Sequence, residues 1–195
     1  MAAMCARYEL SASPRMIMER FKLDAPPPVP NRDDLRPTDQ ALIVDQTGAR
    51  LMRWGLSVSW DGKPLFNARA ETLDAKPTFR PLLEKRCLVP MTAYLEWRRL
   101  EDGTRRRNRI APATGAPAAF AGLSDGEAFT IVTCEPAPAV AHIHDRMPVI
   151  LDAVDANAWA DSGRPFADVK FLLHPYEGAL MFEEQVPERA QGELF

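Results

Sequence analysis

Seven short apolar runs, each closed off by turn-forming residues, constrain this chain of 195 residues more than any other feature. They are ALIVD (41–45), RLMRWGLS (50–57), RCLVP (86–90), AYLEWRR (93–99), AAFAGLS (118–124), AFTIVTCE (128–135) and MPVIL (147–151), with Gly, Pro, Asp and Asn clusters between them. Runs of that length, at that spacing, read as strands of an antiparallel sandwich or barrel. Proline, 18 of the 195 residues, argues against a helical bundle, because its ring removes a backbone donor and clashes with the preceding turn. Ser13-Pro14 ahead of MIMERFKL supplies an N-cap and a proline at the first helical position. That pairing predicts a helix over about 14–23 with Met16, Ile17, Met18 and Phe21 facing the core. Further helical interruptions are expected near 78–85, 137–143 and 152–160, the last capped by Asp152, and APPPVPN (25–31) reads as a linker. The fold class is therefore α+β, a single domain over 1–195 with a β-barrel-like, mainly antiparallel sheet core and short peripheral helices.

A hydrophobic fraction of 46% is enough to bury a full core at this length. No apolar run approaches the roughly 18 residues of a membrane span, and the first twenty residues lack the continuous apolar stretch of a secretory signal. A cytoplasmic, membrane-free protein is expected, acting as a monomer. Cys5, Cys87 and Cys134 make an odd count without CxxC spacing, so any sulfur chemistry would use a free thiol. Net charge is −3, yet residues 1–110 hold 20 Lys/Arg against 14 Asp/Glu, while 111–195 hold 4 against 13. The densest basic cluster is Arg98, Arg99, Arg105, Arg106, Arg107 and Arg109. It fits either a surface that tracks phosphates or a solvated hairpin end. No P-loop, GxSxG, HExxH or GxGxxG occurs. His142 and His144 form an HxH pair, but no third ligand lies nearby, so neither a metal nor any other cofactor is expected.

Four strings in order carry a resemblance: MCARY (4–8), RWGLSVSW with FNARAET (53–60 and 66–72), RCLVPMTAYLEWRR (86–99) and HIHDRMPVIL (142–151). Together they resemble the SRAP family, the SOS response-associated peptidase domain, which includes sensors of abasic sites in single-stranded DNA. The likeness is clearest over 4–160 and implies one domain with a β-barrel-like core. It also implies catalytic roles for Cys5, Asn67, Glu96 and His144, with Arg7 and Arg69 near DNA phosphates. Single-stranded DNA containing abasic sites is the implied partner. In that family the initiator Met is removed and cysteine becomes the N-terminus, a 1,2-aminothiol. The resemblance extends with less force to Thr133 beside the site.

The chemistry of each residue fits its implied role. An abasic sugar opens to an aldehyde at C1′; an α-amine condenses with it to an imine, and the thiol closes on the same carbon to give a thiazolidine. The amine's reference pKa of about 7.7–8.0 leaves a usable neutral fraction at pH 7. Glu96 lies between bulky apolar neighbours, where desolvation favours proton uptake; its bland reading is a strand glutamate paired to Arg69 or Arg98. His144 suits acid–base work near neutrality. Asn67 can both donate and accept hydrogen bonds, holding amine and sugar hydroxyl in register. Trp60, expected on a loop, can stack on a base, whereas Trp54 reads as core. Arg98 belongs to the phosphate-tracking reading of the basic cluster.

Three departures from the family pattern stand out. Ala6 follows Cys5 where glycine is usual, and Arg36-Pro37-Thr38 stands where many members have Asn-Ala-Pro-Thr. Met1-Ala2-Ala3 also precedes Met4-Cys5. Translation from Met4 is expected to expose Cys5; self-cleavage of the Met4–Cys5 bond, or binding without cross-linking, are the alternatives. Three functional classes follow. They are a covalent abasic-site processing enzyme, with lyase action when the imine eliminates; a cysteine peptidase with Cys5 as nucleophile and His144 and Glu96 as base and orienter; and a non-catalytic single-stranded DNA binder.

Overall fold

The computed structural model describes residues 6–28 and 34–185. In chain order the strands are β1 (Tyr8–Glu9), β2 (Gln40–Asp45), β3 (Gly48–Trp54), β4 (Leu56–Val58), β5 (Asp61–Leu65), β6 (Asn67–Arg69) and β7 (Arg86–Met91). They continue with β8 (Ala93–Arg99), β9 (Arg105–Pro112), β10 (Ala118–Ser124), β11 (Ala128–Cys134), β12 (Met147–Pro148), β13 (Ile150–Leu151) and β14 (Leu180–Gln185). Three short helices, α1 (Pro14–Phe21), α2 (Ala153–Ala160) and α3 (Phe166–Val169), lie outside the sheets.

Five strands close a ring: β2 pairs with β3 and β7, β7 with β10, β10 with β11, and β11 returns to β3 in parallel. Closure removes the sheet edges, and every residue of β7, β10 and β11 is buried. This single domain is the barrel-like fold expected from the apolar runs. A second sheet, in the order β1-β8-β9-β14, leans on the ring. Aromatic rings join the two: Tyr8 of β1 meets Trp54 at 5.3 Å and Phe120 at 5.5 Å edge-on, and Tyr94 of β8 meets Phe120 at 6.3 Å. The side sheet is thereby held against the barrel wall, which places its far end beside the loops described below.

Local chemistry explains most element boundaries. Ser13 caps α1 by accepting from the Met16 amide at 3.2 Å, and Asp152 caps α2 by accepting from Val154 and Asp155 at 2.7 and 2.9 Å. In α1 only Ile17 is fully buried; Met16 is 45% exposed, because its neighbour in sequence lies a hundred degrees round the helix and only one face meets the core. The expected 50–57 strand breaks at Gly55, whose φ of +123° turns the chain and whose Cβ, if present, would lie 2.8 Å from Pro64 Cβ. Segment 137–143 is not a helix but consecutive turns, with Val140 donating to Ala137 and Ile143 to Val140. Pro138 offers no backbone donor there. Only a 3-10 turn, Arg80–Leu82, forms within 78–85.

Arg86 fastens the periphery to the ring. Its side chain is buried at the start of β7 and donates to the carbonyls of Trp159, Asp161 and Arg164 at 2.8, 2.8 and 2.5 Å, and to Leu83 at 3.1 Å. The first three are carbonyls at the end of α2 and in the loop after it, so one guanidinium does the work of a C-cap. Glu84 balances the charge at 2.8 Å.

Candidate functional site

A cleft of about 800 Å³ opens where β1 begins, where β8 ends and β9 begins, and beside the loop before β12. Among the described residues it is lined by Ala6 and Arg7, Arg36 and Pro37, Glu96 and Trp97, Arg99 and Arg105, and Ile143, His144 and Asp145. Arg7, Glu96 and His144, far apart in sequence, are thus brought to one cavity. Cys5 lies outside the described residues; its neighbour Ala6 is part of the lining.

Glu96 sits in the middle of β8, only 2% exposed, opposite Asn108 of β9. The β1 strand is gripped from both sides: the Arg7 carbonyl accepts from Leu95, next to Glu96, and Tyr8 exchanges both backbone bonds with Leu35. Glu9 further ties β1 to Arg109 of β9 at 2.7 Å. The His144 side chain is only slightly exposed, and the Arg146 amide donates to its Nδ1 at 3.1 Å. Asp145 Oδ1 lies 3.1 Å from the same Nδ1.

Charge pairs brace the cleft's walls. Arg7 forks onto Asp34, with Nε to Oδ1 at 2.8 Å and Nη2 to Oδ2, and its guanidinium lies over the Trp97 ring at 5.6 Å. Arg36 donates to the same Asp34 Oδ2 at 3.0 Å. Arg146 forks onto Glu71 at 2.6 and 3.0 Å and donates to the Thr133 carbonyl at 2.7 Å. This links the loop after His144 to β11 and to the turn after β6. Hydrogen bonding to Arg7 holds the Asp34 carboxyl below its ordinary range, and hydrogen bonding to Arg146 does the same for Glu71.

Both carboxyls release their protons more readily folded than unfolded, so their contribution to stability is complete above the ordinary carboxylate range of about 4 and is lost as pH falls below it. Denaturant midpoints should therefore drop between pH 5 and pH 3. Glu71→Gln should lower the midpoint at pH 7 and flatten that acid limb; an acid limb identical to the wild type would show that the pair contributes nothing.

Several expected site residues lie elsewhere. Thr133 is fully buried, its hydroxyl 3.4 Å from the Ala68 carbonyl and 3.3 Å from Arg146 Nη2, so here it seats Arg146 rather than facing the cleft. Arg98 pairs with Glu184 of β14 at 2.6 Å, and the cleft is lined instead by Arg99 and Arg105 from the hairpin end. Asn67 and Arg69 are on β6, alongside Ile131 and Thr133 of β11, and are not among the lining residues. Trp60 stands 66% exposed at the turn between β4 and β5, while Trp54 is fully buried with its Nε1 donating to Phe66. His142 packs edge-on against Phe182 of β14 at 5.0 Å. Cys87 and Cys134 are buried; burial pushes both thiols up, Cys134 to about 12, so neither supplies a thiolate near neutrality.

The sequence marks Arg36 only as a departure from the family pattern, and nothing in it singles out Glu71, Trp97 and Arg146 as site residues. A pairing signal for two of them was available: Glu71 and Arg146 are opposite charges inside two of the strings quoted above. Arg36 and Trp97 acquire their places only through the approach of β1 to β8.

The fold is shared with a solved protein from Bacteroides thetaiotaomicron, with a TM-score of 0.82 at 22% identity, over 94% of this chain and 93% of that one. The family described as SOS response associated peptidase (SRAP) matches residues 4–190, and the chain belongs to that family. It is 35% identical over 206 residues to the abasic site processing protein YoqW of Bacillus subtilis (strain 168), covering 94% of this chain and 92% of the relative. The abasic site processing protein YoaM of the same organism is also 35% identical, over 94% of this chain and 91% of its own length. No helix among the described residues is long and apolar enough to cross a membrane.

Proposed function

We propose that this chain processes abasic sites in single-stranded DNA by joining itself to them through the α-amine and thiol of Cys5. One observation carries the reading: Ala6, next to Cys5 in sequence, lines the same cleft as Glu96 and His144. The proposal requires Cys5, one residue and so at most about 3.3–3.6 Å of chain from Ala6, to reach both side chains. The burial of Cys87 and Cys134 leaves Cys5 as the thiol for such chemistry. The relatives named as abasic site processing proteins support the substrate.

In this mechanism the neutral amine of Cys5 attacks C1′ of the ring-opened sugar, and the resulting carbinolamine loses water to an imine. The thiol then adds across the C=N bond, its proton passing to nitrogen, and the five-membered ring closes. Glu96 takes the proton from the attacking amine and returns it to the departing hydroxyl. His144 donates a ring proton to the sugar oxygen as the ring opens. The adduct would shield the lesion from strand cleavage, within the DNA damage response that the family's name denotes.

The test is the intact mass of the native protein before and after incubation with an abasic single-stranded oligonucleotide. A chain beginning at Cys5 is expected to gain the oligonucleotide's mass less one water. A chain beginning at Cys5 that keeps its own mass overturns the proposal.

A further inference from the structure

Arg36 occupies the position at which this chain departs from the family pattern, and the structure gives it an unusual setting. Residues 36–39 form a turn in which Asp39 donates its amide to the Arg36 carbonyl at 3.0 Å and Arg36 donates its own to Asp39 Oδ2 at 3.0 Å. Pro37 takes the second position and Thr38 the third, at φ +79°. That is the type II pattern, which normally places glycine third; an exposed, β-branched residue there is a costly choice. Trp54, buried in the barrel wall, pins the turn from both sides, accepting from Thr38 at 2.8 Å and donating to Asp39 at 2.9 Å. The turn is therefore a rigid mount, and it presents Arg36 to the mouth of the cleft.

Asp34 orients what the mount presents. Its two oxygens receive Arg7 as a fork, and Oδ2 also receives Arg36 through Nε at 3.3 Å and Nη2 at 3.0 Å. These contacts use Nε and Nη2 of each guanidinium and Nη1 of neither. Two guanidiniums share the Asp34 carboxylate, while the Asp39 carboxylate sits on the Arg36 amide at the base of the turn. Arg36 is 62% exposed, and an arginine so exposed ordinarily gives up rotamer freedom when it binds. Here the carboxylate has already held it in place.

We infer that Arg36, mounted on the 36–39 turn and oriented by Asp34, forms with Arg7 a seat for one backbone phosphate of the single strand at the cleft mouth. Arg36 thereby adds a phosphate contact that nothing in the family strings supplies. The inference rests on the proposed function, since the phosphate is that of the bound DNA. A seat of this kind serves any base sequence and acts before the covalent step, because phosphate contacts set register and orientation.

The experiment measures binding of a fluorescein-labelled oligothymidylate without a lesion, followed by anisotropy as a function of salt. The absence of an aldehyde isolates binding from cross-linking. Arg36→Ala is expected to weaken binding 3- to 10-fold at low salt and to make the log–log salt slope shallower by about 0.7, the value for one phosphate contact on a single strand. Arg36→Lys should restore the slope while recovering only part of the affinity, since a lysine cannot reproduce the planar fork. Wild-type and Arg36→Ala curves that superimpose would overturn the inference and leave the proposed function standing. Wild-type protein with no salt-dependent binding at all would overturn both.

Discussion

Glu96→Gln is expected to slow adduct formation with an abasic oligonucleotide by about 10²–10⁴-fold, the usual reach of general acid–base catalysis. Glutamine keeps the shape and hydrogen-bonding reach of the side chain but cannot carry a proton, so it separates proton transfer from packing. Glu96 is 2% exposed, so bulk water has little access through which to substitute for the missing carboxylate. Affinity for lesion-free single-stranded DNA should change little, because the charges proposed to meet phosphate are those of Arg7, Arg36, Arg99 and Arg105 at the cleft. The measurement is the single-turnover rate of adduct formation, alongside the dissociation constant for the lesion-free strand. Equal rates for wild type and variant would remove Glu96 from the chemistry. A parallel loss of affinity would assign it to binding instead.

Replacing Arg86 should have the largest effect on stability. Arg86→Met keeps most of the side-chain volume yet deletes the donors that four buried or half-buried carbonyls use. Each acceptor left without a partner costs about 1–3 kcal/mol, and breaking a buried charged contact costs about 3–5 kcal/mol in total. The loss should fall first on α2 and the 161–164 loop, which Arg86 binds to β7. Urea denaturation should show an unfolding free energy lowered by that amount, and hydrogen exchange should show protection lost in α2 ahead of the ring strands. A change below about 1 kcal/mol would mean that water or Glu84 replaces the guanidinium at little cost.

The legible parts of this protein were those with local signals. Ser13-Pro14 and Asp152 mark their helix starts because a cap is a contact within three residues. The apolar runs 41–45, 86–90, 118–124 and 128–135 announce ring strands because their residues are buried on the barrel. Trp60 and Trp54 could be told apart because one follows a strand end and the other lies within a run. By contrast β9 is RRRNRIAP, without apolar alternation, and its place in the sheet comes from pairing with β8 along six residues. β14 is mostly exposed and carries Glu183 and Glu184; it closes the edge of the side sheet, set against the arginines of β9.

The sequence alone determined the α+β barrel class, the family strings, and the residue types capable of aminothiol, acid–base and phosphate chemistry. Those follow from covalent identity and from interactions a few residues long. Only the tertiary structure decided which of them share a cavity. Arg7, Glu96 and His144 converge because β1 is clamped between β8 and the 35 segment, and Arg98 is turned away to Glu184 while Arg99 and Arg105 face the cleft. Thr133 serves Arg146 from within, and Asp34 gathers two arginines. Each of these outcomes depends on residues brought together from distant parts of the chain, whose energies exist only once the barrel has closed and β1 and β14 have joined the same side sheet.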